Sequence, residues 1–282
     1  MTIDPLAVTK WSSKMLKDLR DAHVFSLGTN RNYEGDIKFA AAVKIFMASR
    51  PATSAYTREG TVTWERIPVS EQVFTIDQRR YFARKVDNLE KHLALNGGAL
   101  IAEEIRGGAW ELADDVDDFL RDLMSDGTPS ANTLTARTIG MGLNANAWDT
   151  LVDLSKAMDK VNVPQTGRHA FISPDYAGFL VKDPRWVSFN TADARRSIRG
   201  TPIGMVEYMD IHISNNLVVS GSTYTIQAAW DQSTTYAEQL NEMEMFERFE
   251  DSFDQGYRSE LVFGGRVTQP QGLAKVLVQY AT

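Results

Sequence analysis

One run of helical spacing dominates this sequence. Leu89, Leu93, Leu100, Ile101, Ile105, Leu112, Val116, Phe119, Leu120 and Leu123 recur at helical intervals up to Ser125-Asp126-Gly127. Asp87, with Glu90 three residues on, supplies a capping box at its start. The spacing predicts a helix approaching ~40 residues, against an average of ~11–12. Gly97-Gly98 and Gly107-Gly108 interrupt it, and each glycine costs ~1 kcal/mol relative to alanine. Close packing against a neighbour can offset that cost, and so can a needed bend. At least one pair is expected to serve bending.

Upstream of this helix the period changes to two. Ile37, Phe39, Ala41, Val43, Ile45 and Met47 alternate with Lys38, Ala40, Ala42, Lys44, Phe46 and Ala48, which predicts a long strand. SRPATSAYTREG, punctuated by Pro51 and Gly60, reads as an exposed turn region, with Arg58 near its end. TVTWERIPV then returns with Val62 and Trp64 on one face. A two-stranded ribbon is marginal alone in water, so it is expected to lean on something outside itself. EQVFTID and RRYFARKV read as two further short strands. At the N-terminus, Trp11, Met15, Leu16 and Leu19 form one helical stripe, with Lys10, Lys14, Lys17 and Asp18 on the other face. A helix of this kind needs a surface to lie on, and LGTNRNYEGD ends it.

Beyond the long helix the pattern is mixed. Asn146 is placed to cap a helix carrying Trp148, Leu151, Leu154, Met158 and Val161. RHAFISP reads as a buried strand, and Pro174 opens a short helix after it. Met209, Ile211 and Ile213 alternate, and YTIQAAW, LVFGGRV and AKVLVQY supply further strands, while EMEMFERFEDSFD is ambiguous. Strands and helices mixed without a βαβ rhythm give an α+β fold class.

Composition closes several functional classes. The 282 residues are 43% hydrophobic and carry a net charge of −7, so the chain has a core to build and no basic excess for gripping nucleic acid. Cysteine is absent, which excludes disulfides, thiolate nucleophiles and cysteine zinc sites. No signal peptide and no membrane span are visible, so a cytoplasmic, soluble protein is expected.

Catalytic patterns are likewise missing. His23, His92, His169 and His212 are scattered without metal spacing and are expected to be structural. No G-x-S-x-G, P-loop or G-x-G-x-x-G occurs. The acidic run Asp114, Asp115, Asp117, Asp118 and Asp122 diverges around a helix and reads as a solvated or inter-subunit face. Neither catalytic nor metal residues are assigned, and no cofactor is expected.

The order of parts carries a resemblance: amphipathic arm, long hairpin, long helix, irregular α+β body. That order resembles the major capsid proteins of tailed double-stranded DNA phages, the Hong Kong 97 type fold. YEGDIKFAAAVKI looks like the strand entering the extended loop, and VFTIDQRRYFARKVDN like its return into the spine helix. HAFISPDYAGFLVKDPRW resembles the strand-Ser-Pro-helix unit of the axial domain, SIRGTPIGMVEYMDIHISNNL its glycine-rich turn, and FGGRVTQPQGLAKVLV the closing peripheral segment.

The resemblance implies an N-terminal arm at 1–33, an extended loop at 34–76 and a peripheral domain with spine helix at 77–137. An axial domain at 138–254 and C-terminal strands at 255–282, returning to the peripheral domain, complete it. It implies a structural protein, not an enzyme, whose hexamers and pentamers close an icosahedral shell around DNA without sequence-specific binding. The implied location is the virion, with assembly in the host cytoplasm and no membrane. A separate scaffolding protein, a portal and decoration proteins are the implied partners. Trp11, Leu16, Leu19, Ile37, Phe39, Val43, Ile45, Arg58 and Trp64 are the expected subunit-interface residues, and Gly97, Gly98, Gly107 and Gly108 the expected bending sites. An encapsulin-like shell shares the fold and is the alternative; a carboxylate-based hydrolase on an unrelated fold is the alternative of another class.

Overall fold

The computed structural model describes residues 23–32, 42–48, 53–55, 58, 61–62, 64, 66, 69–86, 97–141, 145–183, 204–240, 243–246, 249 and 254–281. A hairpin pairs β1 (Ala42–Ala48) with β2 (Val69–Thr75), Ala42 opposite Thr75 and Ala48 opposite Val69. β3 (Gln78–Val86) follows, then the long helix α1 (Gly97–Gly127), β4 (Thr133–Ile139), α2 (Ala147–Lys160), β5 (Arg168–Ile172) and α3 (Pro174–Val181). The chain continues with β6 (Met205–Val206), β7 (Met209–Ile213), β8 (Val219–Ser220), β9 (Thr223–Trp230), β10 (Thr234–Leu240), β11 (Glu244–Phe246), β12 (Gln255–Val267) and β13 (Leu273–Tyr280).

Two larger sheets result. In the four-stranded sheet β12 is the hub, pairing β3 along one edge and β10 and β11 along the other. The seven-stranded sheet runs β4-β13-β9-β5-β7-β6, with β8 beside β9. Helix α1 buries Ile105, Ala109, Leu112, Ala113, Val116, Leu120 and Met124. These positions follow the predicted stripe, and each fully buried side chain of this size contributes ~1.5–3 kcal/mol. The helix reaches both sheets. Phe119 meets Phe263 of β12 edge-on at 5.4 Å, while Gln227 of β9 and Lys275 of β13 donate to the carbonyls of Arg121 and Ser125 at 3.1 and 2.6 Å. On β3, alternation turns Phe82, Arg80 and Arg84 toward α1, where the two arginines meet Asp115 and Glu104, each at 3.6 Å.

Several expectations need correction. The return strand of the hairpin is 69–75, not 61–69: the described residues 61, 62, 64 and 66 are outside any strand. The ladder starts just after Pro68, whose nitrogen has no hydrogen to donate. Asn146 occupies the N-cap position of α2 but makes no capping bond. Its side chain accepts from Gly140 N–H at 3.1 Å and donates to the Thr138 carbonyl at 2.8 Å, tying α2 to the end of β4. Ser173 does cap α3, accepting from Tyr176 N–H at 3.1 Å. The two C-terminal strands join different sheets. β12 joins the four-stranded sheet, but β13 crosses to lie between β4 and β9, and β10 and β11 join β12. Val276 and Val278 of β13 are fully buried there.

The start of the long helix at Asp87 lies outside the described residues, as do Leu89, Leu93 and His92. Gly97 and Gly98 open the described helix. The other pair splits. A Cβ at Gly108 would sit 2.7–2.8 Å from the Phe82 ring, whereas one at Gly107 would meet nothing within 4 Å. Close packing accounts for Gly108. Gly107 has no such reason within its own chain.

This difference predicts opposite signs. Gly107→Ala should raise stability by about 0.5–1 kcal/mol through helix propensity alone. Gly108→Ala should lower it by about 1–3 kcal/mol, because the Phe82 ring, wedged against Tyr257, must move. Denaturant midpoints of the two variants measure this; shifts in the same direction would contradict it.

Candidate assembly interface

Assembly needs faces that the chain does not satisfy itself, held on parts that it does. The first such anchor is the segment 23–32. Residues 23–32 are clasped between α1 and β10. Asp117, a single buried carboxylate on α1, accepts the backbone N–H of Val24 at 3.0 Å and of Phe25 at 3.1 Å. Phe25 stacks on Phe171 of β5 with centroids 4.4 Å apart, and Gly28 lies so close to that ring that a Cβ would come within 3.0 Å. Asn30 then adds to the edge of β10: its N–H donates to the Thr234 carbonyl at 2.8 Å and its carbonyl accepts from Tyr236 at 3.0 Å. Arg31 pairs with Glu238, which also accepts from the Tyr236 hydroxyl at 2.7 Å.

Asp117 corrects the reading of the acidic run. Asp114, Asp115 and Asp122 are solvated as expected, but Asp117 is 3% exposed. Burial raises its pKa from 3.8 to about 7; the two backbone donors oppose the rise, and Asp114 and Asp118 add to it. Its position on the buried stripe, one residue after Val116, was the signal available in the sequence.

The second anchor holds the hairpin. Ile45 and Phe74 bury themselves against Ala237 of β10, and the chain at Thr75 crosses Gly264 so tightly that a Cβ there would lie 2.4 Å from the Thr75 carbonyl oxygen. The ribbon therefore leans on its own four-stranded sheet at its base. Ile45 is buried in its own chain and offers nothing to a partner, which removes it from the expected interface. Farther out, Trp64 is 91% exposed and Val62 58%, and Arg58 is exposed too. Val43 lies in β1 opposite Phe74. Trp11, Leu16, Leu19, Ile37 and Phe39 lie outside the described residues. On the outer face of α1, Trp110 is 61% exposed, one turn from the open Gly107. Sequence spacing did not single Trp110 out.

Two internal clusters also escaped the sequence reading. His169 and His212, expected to be isolated, lie side by side on β5 and β7. Because Asp231 only accepts, His169 donates from Nε2 to Asp231 Oδ1 at 2.7 Å, and its Nδ1 shares a hydrogen bond with His212 Nε2 at 2.9 Å. Burial, with His169 adjacent, lowers the pKa of His212 to about 4, so the pair is held with His212 neutral. Arg168, fully buried, donates to the Pro164 and Val163 carbonyls at 2.8 and 2.6 Å, to Ser155 Oγ at 2.9 Å and to Asp159 at 2.7 Å. Ser155 in turn donates to the Glu207 carbonyl at 3.0 Å, in a turn where Glu207 and Tyr208 have φ of 43° and 64°. These groups fix the β6–β7 turn in a backbone region that side chains disfavour. Among the described residues no group of three or more His, Asp or Glu is placed to hold a metal.

No family model and no curated protein matches this sequence. Solved structures do. A structure from Mycobacterium phage Che8 is 26% identical, with a TM-score of 0.72 over 91% of this chain and 90% of that one. The mature capsid of bacteriophage PhiM1 is 13% identical, with a TM-score of 0.65 over 91% and 87%. The holo-SrpI encapsulin complex from Synechococcus elongatus is 12% identical, with a TM-score of 0.60 over 86% and 85%. The fold is the Hong Kong 97 type, as the order of parts implied.

The clasp yields a pH test. A carboxyl whose folded pKa is raised favours the folded state fully below its unfolded pKa near 4. That contribution is lost as pH rises through about 7. The stability of the wild type relative to Asp117→Asn should therefore fall between pH 4 and 7, by roughly 1 kcal/mol per unit. Melting curves of both proteins across that range measure it; parallel pH profiles would show that Asp117 is not held this way.

Proposed function

We propose that this protein is the major capsid protein of a tailed double-stranded DNA phage, assembling as hexamers and pentamers into an icosahedral shell around the genome. The observation that carries this is likeness over nine-tenths of both chains to the Che8 phage structure, with a phage mature capsid among the further matches. The role is structural. What the chain contributes is shape and unsatisfied surface, not a reacting group.

In this reading the clasp at 23–32 aims the arm, and the hairpin base aims the extended loop, at neighbouring copies. Trp11, Leu16 and Leu19 of the arm and Ile37, Phe39, Val43, Arg58 and Trp64 of the loop are the proposed contacts. A tryptophan buries ~150–250 Å², so covering Trp64 alone is worth about 4–6 kcal/mol before the entropic cost of association. Closed symmetry covers such faces without leaving open fibres. The acidic balance of −7 suits a wall that encloses DNA without gripping it. Assembly in the host cytoplasm, with a separate scaffolding protein, a portal and decoration proteins, belongs to the same proposal, and the mature location is the virion. Bending at Gly107 is part of it as well, since no neighbour in its own chain needs the missing side chain.

An encapsulin-like shell is the second reading, supported by the likeness to the SrpI complex and to a virus-like particle from Pyrococcus furiosus. Electron microscopy of the purified protein, with the particle contents analysed, tests both. Closed particles are expected, filled with DNA when the protein is produced by an infecting phage. Particles filled with an enzyme cargo would favour the second reading, and a protein that stays monomeric at every concentration and salt would overturn both.

A further inference from the structure

A basin of ≈ 370 Å³ lies between the edge strand β4 and helix α2, in the range of small-ligand sites. Its rim carries Arg137 from β4 and Lys156 and Lys160 from α2, and its floor is made by Leu134, Ala157 and Val161. The only acid in the lining is Asp153, which Arg137 already engages at 2.7 Å. Asn132 turns its amide away, donating to the Gln271 and Leu273 carbonyls at 2.9 Å each. Lys156 and Lys160 make no ion pair or hydrogen bond among the described residues. The basin thus presents cationic donors with one engaged acceptor, in a chain that is acidic overall.

That arrangement costs free energy when empty. Lys156 and Lys160 are four residues apart on one helix face, where like charges repel by ~0.2–0.5 kcal/mol. The helix C-terminus favours Lys160, which stands in the last turn, and Asp153 matches Arg137, but neither accounts for Lys156. In the other cationic basin, on the open face of the four-stranded sheet, the cations have partners. Arg258 pairs with Glu244 at 2.5 Å, and Lys85 lies 4.2 Å over the Phe249 ring. The basin beside β4 leaves two cations unmatched.

We propose that this basin is a binding site for a phosphate group, either free (including small phosphate esters) or carried on a nucleic-acid backbone. The anion sits between the two ammonium groups and beside the Arg137 guanidinium, whose Nη1 and Nη2 also donate to Thr150 Oγ1 at 3.4 Å and to Asp153 at 2.7 Å, and the apolar floor accepts the carbon skeleton of an ester. Charge-assisted hydrogen bonds from three cations give the affinity. This site is independent of shell formation and is tested separately from it.

The test is thermal unfolding of the full chain at fixed ionic strength, with chloride replaced stepwise by inorganic phosphate. The wild type should gain melting temperature with phosphate and saturate. Lys156→Gln with Lys160→Gln, both at exposed positions, should melt at or slightly above the wild type in chloride, since their repulsion is relieved, and bind phosphate at least about tenfold more weakly. Asp153→Asn, which frees Arg137, should bind more tightly. A duplex DNA at the same phosphate concentration decides the source: stabilisation that depends on the same two lysines identifies a nucleic-acid backbone, and stabilisation by inorganic phosphate alone identifies a free phosphate or ester. A gain equal in wild type and double variant is the general effect of phosphate on protein hydration and would overturn the site. Absence of any gain in the wild type would overturn it too.

Discussion

Everything in this subunit is referred to one helix. α1 runs for 31 residues and lays its apolar stripe on β12 while its carbonyls accept from β9 and β13 of the other sheet. The seven-stranded sheet is also covered by α2, which buries Leu151, Leu154 and Met158, but α1 alone spans both sheets among the described residues. Where the helix meets β12 the approach is close enough to demand glycine: a Cβ at Gly265 would come within 2.8 Å of Leu123, and one at Gly127 within 2.5 Å of Val267. The stripe from Ile105 to Met124 is therefore shared core, and loosening it loosens both sheets at once.

The inward face of α1 completes the subunit; the outward face is left open. Inward, Asp117 fixes the residues that follow the arm, and Phe82 fills the notch at Gly108. Outward stand Gly107 and Trp110. The hairpin repeats this division, with Ile45 and Phe74 buried at its base and Trp64 almost wholly exposed farther out. A molecule that stayed alone would gain little from rigid anchors that end in exposed tryptophans. A subunit that meets copies of itself needs both.

Much of the fold was legible in the sequence where periodicity is strong. The stripe of α1, the alternation in β1, the start of α3 at Pro174 and the strands of the second half all follow from residue spacing and type. What spacing does not carry is partner choice. Nothing local to AKVLVQY tells which sheet it joins, because both offer an apolar face of period two. The hairpin's return was placed too early since TVTWERIPV alternates as well as EQVFTID does, and only the missing N–H of Pro68 separates them. The candidate surfaces were half visible. Trp64 stands with Val62 on one face of the alternation in TVTWERIPV, whereas Trp110 sits in a helix where any residue off the stripe looks alike. His169, His212 and Asp231 are far apart in sequence and meet only because β5, β7 and β9 are neighbours. Asp117 was hidden in a run of aspartates whose other members are solvated.

The central claim is that the inward half of this subunit is complete in itself while the outward tryptophans belong to the assembly. Hydroxyl-radical footprinting of Trp64 and Trp110, in dissociated subunits and in closed particles, tests it most directly. The account predicts that both side chains react readily in the free subunit and become protected in the particle, while Phe171, wholly buried within the subunit, stays unreactive in both. Closed particles in which Trp64 and Trp110 keep their free-subunit reactivity would contradict it.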